Sequence, residues 1–387
     1  MQAILSRTLV QEIIIVASTA RLEDMNRSTV HELTPAPDHR DRARQAFVFH
    51  LKRRLGTLGA RGLGQVASHR TGSDEPTLEE TAAAMSGSAS FAAWSALNKG
   101  SQRRMWLALE DMVERQLPEL EARMAQISER PKRGSLALDP ELPIPGHLRR
   151  HAFHGQPGGY VGSRHEADLR AGLLQEAGGT LYTRGVGTGR RDSKAQAVVR
   201  YLNERFPGLD PARILDLGCG YGGQTCGYAL AYPQAQTHGI DIGEGLLRYA
   251  HLRAESLGVP LHLHQADASG TGFPDGHFDL IVSNILLHEV PTPMMRAIMA
   301  ECWRLLAPGG VVIHQDVPTQ DPDMPGFARF LSMWQTEHND EPFWAEFSQS
   351  SVPEALIAAG FDAASVFEDY VAQVDGPLTW YFVGAVR

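Results

Sequence analysis

The stretch Ile214-Leu215-Asp216-Leu217-Gly218-Cys219-Gly220-Tyr221-Gly222-Gly223 constrains this chain more than any other. An apolar strand runs into a turn with glycine at alternate positions, where the backbone bends sharply and a ligand can approach without meeting a Cβ. In an open α/β sheet such a turn lies at the carboxyl end of the first strand, where ligands bind. The residues that follow keep this pattern. Helices are expected over 193–206, 224–232, 246–257, 294–306 and 352–359, and strands over 213–217, 237–240, 261–264, 278–283, 311–314, 364–368 and 380–386. Alternation of this kind predicts a doubly wound, mainly parallel sheet with helices on both faces.

Ahead of that unit the pattern changes. Residues 1–37 read as an N-terminal arm ending at Pro35-Ala36-Pro37, and 38–130 as a mainly helical domain. Ala43, Phe47, Leu51 and Leu55 recur at four-residue spacing, as does the series Leu109, Met112, Val113, Leu117, Leu120 and Met124, in which Pro118 is expected to break or kink the helix. Thr77-x-x-Glu80 is a capping-box pattern, and the residues after it carry no basic recognition face. Residues 131–191 are rich in Gly, Pro and His and read as a linker or lid, and 192–387 as the nucleotide-fold unit with an insertion at 318–351.

Gly218-x-Gly220-x-x-Gly223 also matches the dinucleotide fingerprint, so the neighbouring acids must decide. Asp216, two residues before the first glycine, suits a ligand with a positively charged amino group and is badly placed beside a pyrophosphate. Asp241 ends the second strand and can accept both hydroxyls of a ribose. Asp267 follows the third strand and can accept an adenine amino group.

Asp216-x-Gly218-x-Gly220-x-Gly222, Asp241, Asp267 and the turn Leu306-Ala307-Pro308-Gly309-Gly310 together resemble the class I S-adenosylmethionine (SAM)-dependent methyltransferases, in particular the small-molecule branch of the quinone-biosynthesis C-methyltransferases ("type 11"). The resemblance covers about residues 190–387. It implies a Rossmann-like seven-stranded sheet whose last strand, Leu378 to Val386, is antiparallel, with SAM as cofactor and S-adenosylhomocysteine as product. Carried over residue by residue, Gly218, Gly220 and Gly222 lie against the methionine and ribose, and Asp216 lies near the amino group. Asp241 holds the ribose, Ile242 packs on adenine, and Asp267 receives the adenine amino group, with the Ala268 amide beside it. Ser283 ends the fourth strand at the same site, and Arg184 either pairs the methionine carboxylate or is a surface arginine.

The methyl acceptor belongs past the fourth strand, at Ser283-Asn284-Ile285-Leu286-Leu287-His288-Glu289. No Pro-Pro-aromatic motif follows Asn284, which argues against base-methylating chemistry. His288, with Glu289 to orient it, is the candidate general base, because imidazole titrates near neutrality; its other reading is a histidine that packs the next helix. His314 and Asp316 are expected on the same rim, and no metal site is expected from them. Tyr160 and His154 of the Gly/His-rich loop, Asn284, His314, Asn339 and Trp344 are candidate acceptor contacts.

A net charge of −9 argues against a dedicated nucleic-acid partner, and the run at 13–17 is far too short to span a bilayer. Three cysteines make no disulfide framework and fit a reducing cytoplasm. The expected enzyme is therefore a cytoplasmic SAM-dependent transferase acting on a small molecule, with homodimer assembly compatible with the sequence. The alternative is a SAM-binding protein with non-methylating chemistry or a sensor role.

Overall fold

A computed structural model describes residues 31–165, 168–183, 194–372 and 379–387. The described residues start with four helices: α1 (His39–Arg54), α2 (Ala60–Thr71), α3 (Leu78–Met85) and α4 (Ala89–Ser128). One π-helical turn, Leu55–Gly59, joins α1 to α2. Reciprocal capping boxes start α1 (Asp38 with Asp41) and α3 (Thr77 with Glu80). The expected face of α1 is displaced. Val48 and Leu55 are buried, whereas Phe47 is 59% exposed, because Asp41 and Val48 set the face turned to α4 and Asp41 accepts from Arg115 there. Nor does Pro118 break α4, which runs through it for 40 residues.

The next segment holds β1 (Ser135–Ala137), α5 (Gly146–Arg150) and the 3₁₀ turn Phe153–Gly155. It leads through α6 (Arg170–Thr183) and α7 (Lys194–Arg205) into the sheet. Then follow β2 (Arg213–Leu217), α8 (Gly223–Ala231), β3 (Gln236–Asp241), α9 (Glu244–Leu257), β4 (His262–Gln265), β5 (Phe278–Asn284), α10 (Thr292–Leu305) and β6 (Leu306–Asp316). The insertion carries α11 (Gly326–His338) and α12 (Trp344–Ser348), and the chain finishes with α13 (Val352–Ala359), β7 (Val366–Ala372) and β8 (Thr379–Val386).

The strands form one sheet in the order β1-β4-β3-β2-β5-β6-β8-β7. β8 runs antiparallel to both its neighbours, as expected, and the other pairs are parallel. The sheet has eight strands rather than seven, because β1, read from sequence as part of a linker, adds to the β4 edge with Ser135 opposite His262. Apolar layers cover both faces. One contains Ile281, Val312, Ile298 and Leu356, the other Val198, Leu202, Tyr228 and Val282. A third core joins the helical half to the sheet unit through Trp106 and Leu109 of α4, Leu173 and Leu174 of α6, and Tyr249 and Leu252 of α9.

A polar knot is buried inside that third core. Glu176 of α6 lies 2.9 Å from His31 Nε2, accepts from Tyr249 Oη at 2.5 Å and from Arg253 Nε at 3.1 Å. Burial disfavours its charge, yet Arg253 and His31 outweigh that and hold the carboxyl down at about 2. Phe327, Phe330 and Trp334 pack on the N-terminal helices, where Trp334 meets Trp94 edge-on and donates to Ser95 Oγ at 2.7 Å.

Candidate functional site

At the carboxyl ends of β2, β3 and β5 the chain encloses a cavity of about 340 Å³. Its floor is the glycine turn. Gly218 and Gly220 have φ of 66° and 51°, and a Cβ on Gly220 would stand 2.6 Å from Gln175 Oε1, so a side chain there would be strained and would displace Gln175. Asp216, Gly218, Gly220, Asp241, Ile242, Asp267 and Ala268, read from sequence as cofactor contacts, all line this cavity. Gly222 and Ser283 do not. Gly222 is the N-cap of α8, and the fully buried Ser283 hydroxyl lies 2.7 Å from His314 Nδ1. Arg184 lies outside the described residues.

Two acids dominate the electrostatics. Asp216 is 1% exposed and accepts from Thr225 Oγ1 at 2.7 Å. Burial pushes it up to about 7, with Asp241 adding repulsion. Asp241 accepts from the backbone N–H of Gly220 (2.9 Å) and of Gly243 (2.8 Å). Those bonds favour its charge, but burial prevails and raises it to about 6. Neighbouring carboxylates raised in this way favour a cationic ligand, which would relieve both. Asp267 is bound to its own turn, accepting from Ser269 N–H at 2.8 Å.

Above the floor the wall is built by the segment before α6 and by the turn after β5. Tyr160, His154, Asn284 and Glu289 line the cavity, joined by Met294 and Ile298 from α10. Tyr160 Oη donates to Glu289 Oε1 at 3.0 Å, and His154 Nε2 lies 3.4 Å from the same oxygen. His154 Nδ1 contacts Glu341 of the insertion. Burial opposes the imidazolium, but Glu341 and Glu289 raise His154 to about 10. His154, Ile285 and Asp340 are the non-glycine residues with positive φ among the described residues, and all three lie at this wall or next to it.

The expected general base is displaced. His288 is fully buried and does not line the cavity. Its Nδ1 lies 2.5 Å from Asp316 Oδ1, and the 3₁₀ turn Leu287–Glu289 carries its ring behind the wall. Burial works against its charge, but Asp316 raises its pKa above the ordinary value. His314 and Asp316 are fully buried rather than on the rim, and burial pushes His314 down to about 4. Trp344 packs edge-on against His288 at 5.0 Å, and Asn339 borders a second cavity that Trp106 and His154 separate from the first.

Several lining residues carried no motif. Gln175 accepts from Tyr221 N–H at 2.9 Å and so braces the glycine turn from α6. Lys194, His147 and Trp106 also reach the cavity. Their positions depend on helix packing between the two halves, which no local spacing encodes.

A family model described as a methyltransferase domain matches residues 214–310. Trans-aconitate 2-methyltransferase from Deinococcus radiodurans is 28% identical over 200 residues, 48% of this chain and 73% of that protein. A ubiquinone biosynthesis O-methyltransferase from Pseudomonas fluorescens is 33% identical over 121 residues, 31% of this chain and about half of that protein (50%). Among solved structures, phosphoethanolamine N-methyltransferase 2 from Haemonchus contortus, in complex with SAM, overlays with a TM-score of 0.37 at 16% identity, covering 50% of this chain and 53% of that one. The matched segment carries the glycine turn together with Asp216, Asp241 and Asp267, so this part of the chain is similar to a methyltransferase domain.

Proposed function

We propose that this cavity holds SAM along the glycine turn and a small organic acceptor against the Tyr160–Glu289 wall. When bound, SAM supplies an electrophilic methyl group on a sulfonium. The observation that carries the reading is the pair of buried carboxylates, Asp216 and Asp241, both raised by burial and both facing a glycine-floored cavity. The ammonium of SAM would neutralise the first, and its ribose hydroxyls would donate to the second. Asp267 and Ala268 stand where adenine would lie, and Lys194 is the described cation nearest to taking the carboxylate role read for Arg184.

The acceptor end is apolar below, with Met294, Ile298 and Leu148, and polar above, with Glu289, Tyr160 and His147. That lining fits a small molecule with an apolar body and one polar group. Glu289 is the residue assigned to receive that group, a role moved from His288 by one position in sequence. The helical half and the 131–191 segment act as a cap, since Trp106, His147, His154 and Tyr160 close the cavity from that side. Three buried free cysteines fit a reducing cytoplasm. No helix among the described residues is long and apolar enough to cross a membrane.

The test is titration calorimetry with SAM against NADH, then a metabolite screen with labelled SAM for products heavier by one methylene. Glu289→Gln should slow transfer to a hydroxyl or amine acceptor by about 10²-fold while SAM affinity stays within about threefold. An unchanged rate in that variant would remove Glu289 from the acceptor site.

A further inference from the structure

The polar wall contains more charge than one acceptor group explains. His154, Glu289 and Glu341 come from three separate segments, and one possible ligand atom from each lies within 4.8 Å of the others. Glu341 is 0% exposed, and neither of its oxygens accepts a hydrogen bond of ordinary geometry. Its described cationic neighbours are the His154 ring and, at 3.9 Å, Nε2 of His288. That His288 nitrogen is itself buried without a hydrogen-bond partner.

We infer that His154, Glu289 and Glu341 form a binding site for one divalent cation at the acceptor end of the cavity. A lone proton on His154 would leave the buried Glu341 and the partly buried Glu289 sharing one positive charge. A divalent cation would balance both and leave the imidazole neutral. Burying an uncompensated carboxylate is costly, so this arrangement needs a counter-charge. On the Nε2 side of His154 the spacing also suits a metal, and Glu341, which meets the ring at Nδ1, would turn to the same ion. His154 Nε2 and Glu289 Oε1 are 3.4 Å apart, and two ligands on a tetrahedral centre with bonds of about 2.1 Å stand about 3.4 Å apart. One imidazole with two carboxylates is a donor set for Mn(II), Fe(II) or Zn(II). His288, fixed by Asp316, then lies behind Glu341 with Nε2 3.9 Å from it.

Three protein ligands leave coordination positions open, and Glu289 and His154 both face the cavity. An acceptor with a hydroxyl or carboxylate oxygen would complete the shell there. This last clause rests on the methyl-transfer reading; the cation site does not.

The experiment strips the full chain of metal by chelation and titrates it with Mn(II), following the free-ion electron paramagnetic resonance signal, with Zn(II) and Co(II) in parallel. One ion per chain is expected, with affinity rising with pH as the imidazole proton is displaced. Glu341→Gln keeps the side-chain shape, and His154→Asn keeps a residue that tolerates positive φ. Each should weaken binding at least tenfold, with folding checked by circular dichroism. SAM affinity should be the same with and without metal. Absence of saturable binding by all three ions up to about 1 mM, or stoichiometric binding that survives both substitutions, overturns the site. If no ion binds but labelled methyl transfer proceeds, only the cation falls. If an ion binds and SAM does not, the site stands and the proposed function falls.

Discussion

Replacing Glu176 with Gln tests how the helical half is held to the sheet unit. Glu176 is 8% exposed and Arg253 is 1% exposed, so the substitution leaves the guanidinium buried without its carboxylate. Removing one partner of a buried pair costs about 3–5 kcal/mol. The carboxyl provides an independent figure. It falls from an ordinary value of 4.5 to about 2, and at about 1.4 kcal/mol per pH unit that depression is worth about 3 kcal/mol. The two agree. Because the folded-state value is depressed, the contribution is present above pH 4.5 and is lost as pH falls from there towards 2. Thermal unfolding at pH 7 should therefore show Glu176→Gln melting roughly 6–12 °C below wild type, and the gap should close in acid. SAM affinity should fall too, since Gln175, the next residue on α6, braces the glycine turn. A melting shift within about 2 °C, or a gap that persists undiminished at pH 3, would refute the reasoning.

Asp241→Ala removes the acceptor assigned to the ribose hydroxyls and should weaken SAM by about 1.5–3 kcal/mol in calorimetry, because charge-assisted bonds of this kind are worth that much; an unchanged dissociation constant would reject the assignment. A second acid response is expected from His238, which stacks on His264 with ring centres 5.4 Å apart and is pushed down to about 3 by burial and by His264 and His262. Its folded-state value is depressed, so the cluster imposes no penalty above pH 6.5 and destabilises the fold increasingly as pH drops below it. His238→Gln should lessen the loss of melting temperature between pH 7 and pH 5, and an identical pH profile would discard the cluster as a source of acid sensitivity.

The parts of the site legible in the sequence are those that local geometry fixes. The glycine turn, Asp241 and Asp267 sit at strand ends, where the strand itself aims them, and they line the cavity as read. His288 misled because strand position alone does not orient a side chain two turns further on. Its ring direction is set by Asp316, 28 residues away, together with the 3₁₀ turn Leu287–Glu289 that carries it. Glu341 carried no signal, since it becomes interesting only when the insertion brings it against His154. Strand β1 was missed for a related reason. Three residues among Gly and Pro have no period to detect, and the partner that makes them a strand is 127 residues away.

That pairing also sets a schedule. Ser135 leaves the ribosome long before His262 exists, and at about 5–20 residues per second the wait is about 6–25 s. In its early part α4 lacks α6, and for most of it α4 lacks α9, to cover Trp106, Leu109 and Met112. The first third of the chain is thus synthesised with its apolar stripe uncovered, and it reaches its final packing only after the sheet has begun to form. A nascent-chain proteolysis series should find residues 89–128 cleavable until β4 has emerged and protected afterwards.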